Sequence, residues 1–359
     1  MKSAHVFICH LLLVIIANGI LLQSPALAQE RVETMGPDTA TETVLIRSTT
    51  DISVFGAVVE AFLATRPGLR IRYEQWGSND LYKLSRDECR NGNQAADVII
   101  SSGVHQMVKL VNEACAASHV SPGTSQLPEA LRWRNELWGI TREPAVIVYN
   151  REQVPENEIP RTRFDLLDLL RQDNTSYAGR VATYDIEQSG LGYLFAFADA
   201  REATTFGALQ ESFGRTRAIS TCCSADIIDS VANGRYLIAY NVLGSYAQDF
   251  QLRDNRIGII LPSDYTLVLS RALMIPLKAQ NHDTATRFLD FLLSSEGRLA
   301  LHRALLISPL LETEDGSEGE SLYVSSLRPI GLSPALLAAL DRLTRETFLR
   351  RWRDTFEEQ

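Results

Sequence analysis

The sequence predicts an α/β protein of two lobes, each a mainly parallel sheet flanked by helices. Strand and helix patterns alternate regularly through residues 44–114. Two long apolar stretches, LWGITREPAVIVYN at 137–150 and YTLVLSRALMIP at 265–276, interrupt that alternation and read as crossings between lobes. Beyond an N-terminal export-like segment, about 330 residues remain, more than one compact core usually covers.

That segment, residues 1–28, carries Lys2, an apolar run from Leu11 to Leu22, and then Ala26-Leu27-Ala28. These are the charged, apolar and small-residue parts of a secretory signal, with cleavage expected after Ala28 and a periplasmic protein as the result. A membrane anchor fits less well, because the run falls short of the roughly 20 residues a span needs. Cys9 lacks a small-residue lipobox around it.

A polar leader, 29–42, precedes the first expected strand, VLIRS at 44–48. Asp51 is placed to cap a helix in which Val54, Phe55, Val58, Val59, Phe62 and Leu63 recur at helical spacing until Arg66-Pro67-Gly68. LRIRYEQW (69–76) alternates as a second strand, a polar helix runs through Tyr82 to Cys89, and ADVII (96–100) is the third strand. An amphipathic helix with Met107, Leu110 and Val111 follows. After the first crossing, helices are expected at 164–171, 190–201, 225–233 and 244–252, and strands at 180–184, 236–242 and 256–261. Helix 284–302 and a last helix, 333–356, are expected to pack on the first lobe. The lobes are therefore 43–141 with 268–359, against 142–267.

The formal charge of −9 argues against general nucleic-acid binding. It leaves room for an anionic ligand, since a closed site is governed by local amides and a few cations. Four cysteines remain after cleavage. Cys89 with Cys115 is a reasonable pair, although spacing alone leaves the connectivities open, and adjacent Cys222 and Cys223 are expected to be reduced or separately paired.

The export segment, the order of elements, and the patterns VLIRSTTD (44–51), ADVIISS (96–102) and RYLIAYNVLGSYA (235–247) together resemble the type 2 periplasmic solute-binding proteins of ABC importers. The stretch TCCSADIIDSVANGRYLIAYNVLGSYA (221–247) is most similar to the branch holding ferric-ion receptors, phosphosugar receptors and the phosphoglycerate transport regulatory protein. The resemblance implies a clamshell closing on a small molecule. It also implies delivery to an inner-membrane ABC permease or presentation to a sensor kinase. A monomer with neither cofactor nor catalysis is expected.

In open α/β sheets, ligands sit beyond the carboxyl ends of strands, where helices begin and free N–H groups point outward. Thr49, Thr50 and Asp51, then Trp76, Ser78 and Asn79, then Ser101 and Ser102 occupy such positions in the first lobe. Asp185, Ser189 and Gly190, with Tyr240, Asn241 and Ser245, occupy them in the second, and Arg142 at the crossing is placed to add a cation. Helix capping is the competing role for each hydroxyl. Asp51 and Asp185 would repel an anion, which keeps a neutral or zwitterionic ligand in view. Ferric receptors of this branch use neighbouring tyrosines, whereas Tyr240 and Tyr246 are not adjacent, and His105, His119, His282 and His302 lack ligand spacing. No G-x-S-x-G elbow, P-loop or H-E-x-x-H is present, so the usual local signatures of an enzyme are missing.

Overall fold

A computed structural model describes residues 29–171, 176–312 and 326–357; the export-like segment 1–28 lies outside the described residues. The first sheet orders its strands Gln29–Met35, Leu69–Trp76, Glu42–Ser48, Val98–Ser101, Ala272–Met274, Leu137–Gly139 and Arg132–Trp133. The second runs Leu327–Pro329, Thr266–Leu269, Glu143–Asn150, Ile238–Leu243, Val181–Tyr184 and Ile219–Thr221, with Ile257–Ile260 also beside Glu143–Asn150. The expected α/β class is borne out, but both sheets are mixed. Parallel pairing joins Glu42–Ser48 to its two neighbours, whereas Ala272–Met274, arriving from the other lobe, runs antiparallel to its own. The chain leaves the first sheet after Gly139, enters the second at Glu143, and returns between Leu269 and Ala272.

Helix Ile52–Ala64 buries Phe55, Val58, Val59 and Phe62 in the first lobe's core, where Phe288, Leu289 and Leu292 of helix His282–Leu293 join them. The expected single helix 284–302 is broken at Ser294, whose side chain caps a second helix, Ser295–Arg303, by accepting from Gly297 N–H. The leader is not merely a leader: Gln29–Met35 pairs antiparallel with Leu69–Trp76. Helix Phe206–Arg215 and strand Ile219–Thr221 were not anticipated.

The expected docking of the last helix on the first lobe needs correction. Segment 333–356 is a 3-10 stretch, Pro334–Leu340, followed by helix Arg342–Glu357. Leu349 and Trp352 of that helix pack with Ile186, Tyr193 and Phe206 of the second lobe. An amphipathic stripe specifies that a helix docks but not on which neighbour. The 3-10 stretch lies against helix Val104–Asn112 of the first lobe, so the C-terminal segment touches both lobes.

Cys89 and Cys115 form a disulfide with an S–S distance of 2.03 Å across a sequence separation of 26. Cys222 and Cys223 are also bonded to each other, correcting the expectation of reduced or separately paired thiols. Cys223 adopts φ 65° at the start of helix Ser224–Ala232, a backbone state the sequence did not signal.

Two predictions follow from this packing. Replacing Cys89 and Cys115 by alanine should lower unfolding free energy by about 3 kcal/mol, the loop-closure entropy of a ring this size, as read by denaturant titration. His105 is buried, and burial with the nearby charge of Arg345 pushes its imidazole down to about 3. Its folded pKa therefore lies below its unfolded value, so the neutral ring favours folding above about pH 6.5. That contribution is lost as pH falls from there toward the folded value. His105→Gln should retain more stability at pH 4.5 relative to pH 7 than the parent, and an equal loss in both proteins would contradict this.

Candidate functional site

The cleft between the lobes encloses a cavity of about 100 Å³. Its walls follow from local chain logic: a strand ends, the chain turns, and a helix starts. Five helices begin at the cavity, their N-cap residues Asp51, Gly77, Ser189, Cys223 and Leu243 all lining it. Each helix start carries roughly half a positive elementary charge. Converging them on one small space makes a positive field without cationic side chains.

The cation beneath this field is Arg271, buried with about 1 % of its surface exposed. Its Nε donates to Glu143 Oε1 at 2.8 Å and its Nη2 to Glu143 Oε2 at 3.2 Å. Nη1 donates to Thr50 Oγ1 at 3.0 Å and to the Thr49 carbonyl at 3.3 Å. Ser245 Oγ donates to Glu143, and Thr141 Oγ1 does so while accepting from Arg271 N–H, both at 2.8 Å for the latter residue. The Glu143 carboxylate raises the guanidinium's pKa above its ordinary value despite the opposing effect of burial, so Arg271 stays charged.

Six of the residues expected from the sequence line the cavity: Thr49, Asp51, Trp76, Ser78, Ser102 and Ser189. Thr49 Oγ1 accepts from Ser102 N–H at 2.9 Å, which fixes both hydroxyls at the wall. The Asp51 carboxylate accepts from Gln75 Nε2 at 2.9 Å, and burial raises its pKa. Tyr246, Tyr184, Ser224, Cys222, Cys223 and Glu30 also line the cavity and were not among the expected site residues. Tyr184 Oη and Ser224 Oγ are hydrogen-bonded to each other, and burial pushes the Tyr184 phenol up to about 12.

The other expected residues lie elsewhere. Thr50 and Ser245 sit behind the wall, holding Arg271 and Glu143 respectively. Ser101 is buried and accepts from Gly103 N–H at 3.1 Å. Tyr240 and Asn241 belong to a buried network with Arg163 and Asp199 inside the second lobe. Strand Ile238–Leu243 runs on past them, so its helix begins at Gly244. Asp185 accepts from Glu187 N–H at 2.8 Å and caps its own turn. Arg142 borders a separate cavity behind the crossings, beside Arg298 and Ser270.

Asn79 and Gly190 join the lobes. Gly190 N–H donates to Ser78 Oγ at 2.9 Å, and Asn79 Nδ2 donates to the Glu187 and Gln188 carbonyls at 2.8 Å. Gln106 Nε2 steadies Asn79 by donating to its Oδ1 at 2.7 Å. A Cβ at Gly190 would lie 2.8 Å from Gln106 Nε2 and 2.9 Å from Ser78 Oγ, so any side chain here would have to displace the groups that join the lobes. Across the cleft, Asp51 N–H donates to Tyr246 Oη at 3.3 Å. Lobe contacts thus flank the cavity, as in a closed clamshell.

This is the architecture of a receptor that folds around a solute, and comparison with known proteins agrees. Residues 93–322 match the family model described as bacterial extracellular solute-binding protein. The substrate-binding protein of an ABC transporter from Agrobacterium tumefaciens is 32% identical, with a TM-score of 0.85 over 93% of this chain and 100% of that one. Fold similarity extends to AfuA from Actinobacillus pleuropneumoniae, solved with exogenous fructose-6-phosphate bound (15% identity, TM-score 0.69, 89% and 99% covered). It extends equally to iron-bound HitA from Pseudomonas aeruginosa (16% identity, TM-score 0.63, 85% and 98% covered). No curated protein sequence matches the chain. The chain belongs to the bacterial extracellular solute-binding proteins of ABC transporters.

The site generates two predictions. Ser189 Oγ accepts from Gly192 N–H at 3.0 Å, so Ser189→Ala should cost about 1 kcal/mol of stability through the lost cap, seen as a lower melting temperature. Arg271→Met should cost about 3–5 kcal/mol, because it strands a buried carboxylate, whereas adding Glu143→Leu should recover much of that loss. A double variant as unstable as the single one would show that the pair's own attraction, rather than the stranded charge, dominates.

Proposed function

We propose that the chain, exported to the periplasm with cleavage after Ala28, captures a small solute bearing a phosphate or carboxylate and delivers it to an ABC permease without transforming it. The observation that carries this reading is the convergence of five helix starts on a cavity floored by Arg271. An oxyanion placed there meets a positive field, a buried guanidinium and the hydroxyls of Thr49, Ser102 and Ser189. AfuA, a protein of similar fold solved with exogenous fructose-6-phosphate bound, supports the chemistry by analogy of fold.

Ferric iron is the second reading, drawn from the phenols of Tyr184 and Tyr246 at the cavity and from iron-bound HitA. The anion is favoured because the Arg271 guanidinium opposes a metal cation. Both phenols are also held far above neutral pKa by burial.

The test is a thermal-shift screen followed by calorimetry, using phosphate monoesters, small carboxylates and ferric citrate. A cognate anion at a hundred times its Kd should add about 2.7 kcal/mol of apparent stability. Stabilisation by ferric ion, with every organic anion inert, would overturn the anion reading.

A further inference from the structure

We propose that the captured solute is zwitterionic, carrying a cationic amine opposite its anionic group, with the carboxylates of Asp51 and Glu30 receiving the amine. This rests on the anion reading above and narrows its substrate class.

The cavity's charged lining is Arg271, Asp51 and Glu30, and Arg271 is already matched by Glu143 directly beneath it. Two carboxylates thus remain without a dedicated cation at the cavity. Asp51 and Glu30 accept from the same amide, Gln75 Nε2, each at 2.9 Å, which places the carboxylates on either side of one neutral donor. Asp226, in the first turn of helix Ser224–Ala232 across the cleft, adds to the negative potential at Asp51. The other cation acting on Asp51, Arg31, is itself paired with Glu33.

Exposure orders these groups. Arg271 is buried, Asp51 is partly buried, and Glu30 is exposed, so charge runs from positive at the floor to negative at the rim. A dianion filling the whole cavity would press its outer end against two carboxylates. An ammonium at that end would instead supply the countercharge and further donors to both carboxylates. Burial already raises the Asp51 pKa, the mark of a carboxylate short of compensation. The cavity of about 100 Å³ suits a solute with only a short chain between its two charged ends.

Matched ligand pairs isolate the amine. Calorimetry would compare phosphoethanolamine with ethyl phosphate, and 4-aminobutyrate with butyrate, on the full mature chain. In at least one pair the ammonium member should bind at least about tenfold more tightly than its partner. Asp51→Asn should weaken the ammonium member and tighten its ammonium-free partner, and Glu30→Gln, on the edge strand, should act in the same direction more weakly. Equal affinity within every pair that binds would overturn the amine and leave the anion reading standing. Binding of ethanolamine alone, as tightly as phosphoethanolamine, would overturn the anion reading and the zwitterion with it. Failure of the ammonium member to surpass its partner in both pairs, or an unchanged gap in both variants, would also overturn the proposal.

Discussion

The buried ion pair of Arg271 and Glu143 is the interaction on which the rest of the molecule depends. Glu143 opens the strand that enters the second lobe, and Arg271 lies on the return to the first, so the pair links both crossings. It reaches outward to Thr49 and Thr50 of the first lobe and to Ser245 of the second. Burying two charges costs several kcal/mol per ion unless their remaining donors and acceptors are satisfied. The hydroxyls of Thr50, Thr141 and Ser245 meet that demand, and in doing so fix the relative placement of both strands and both helix starts.

From that fixed base the lobes meet through neutral contacts: Gly190 N–H on Ser78, Asn79 on the 187–188 carbonyls, and Asp51 N–H on Tyr246. Single polar contacts of this kind are individually modest, so closure can be reversible and tuned by what lies between. The ligand's contribution then comes from the helix starts that converge on the cavity. A pre-formed field of backbone dipoles needs no rearrangement when the solute arrives.

Much of this could be read from the residues, for a physical reason. Strand-to-helix turns are local, so Thr49, Ser78, Ser102 and Ser189 were recognisable as cleft hydroxyls from short-range patterns and do line the cavity. What failed was long-range or depended on one or two residues of register. Tyr240 and Asn241 were expected at a strand end, yet the strand continues to Leu243 and carries them into the buried network around Asp199. Arg142 holds the sequence position expected of the crossing's cation, whereas Arg271, on the return crossing, lines the cavity. A signal for it existed: Arg271 interrupts the apolar run TLVLSRALMIP, and a charge inside such a run must be paired. Its partner is 128 residues away, which no local pattern identifies. The C-terminal helix failed for a similar reason, since its apolar stripe is equally suited to either lobe.

The central claim, that a solute is held where helix starts from both lobes converge, is tested most directly by amide hydrogen exchange with and without a bound anion. The account predicts added protection at the first turns of the helices starting at Ile52, Ser78, Gly190, Ser224 and Gly244, appearing together in both lobes. Protection confined to one lobe, or centred on the cavity beside Arg142 and Arg298 instead, would contradict it.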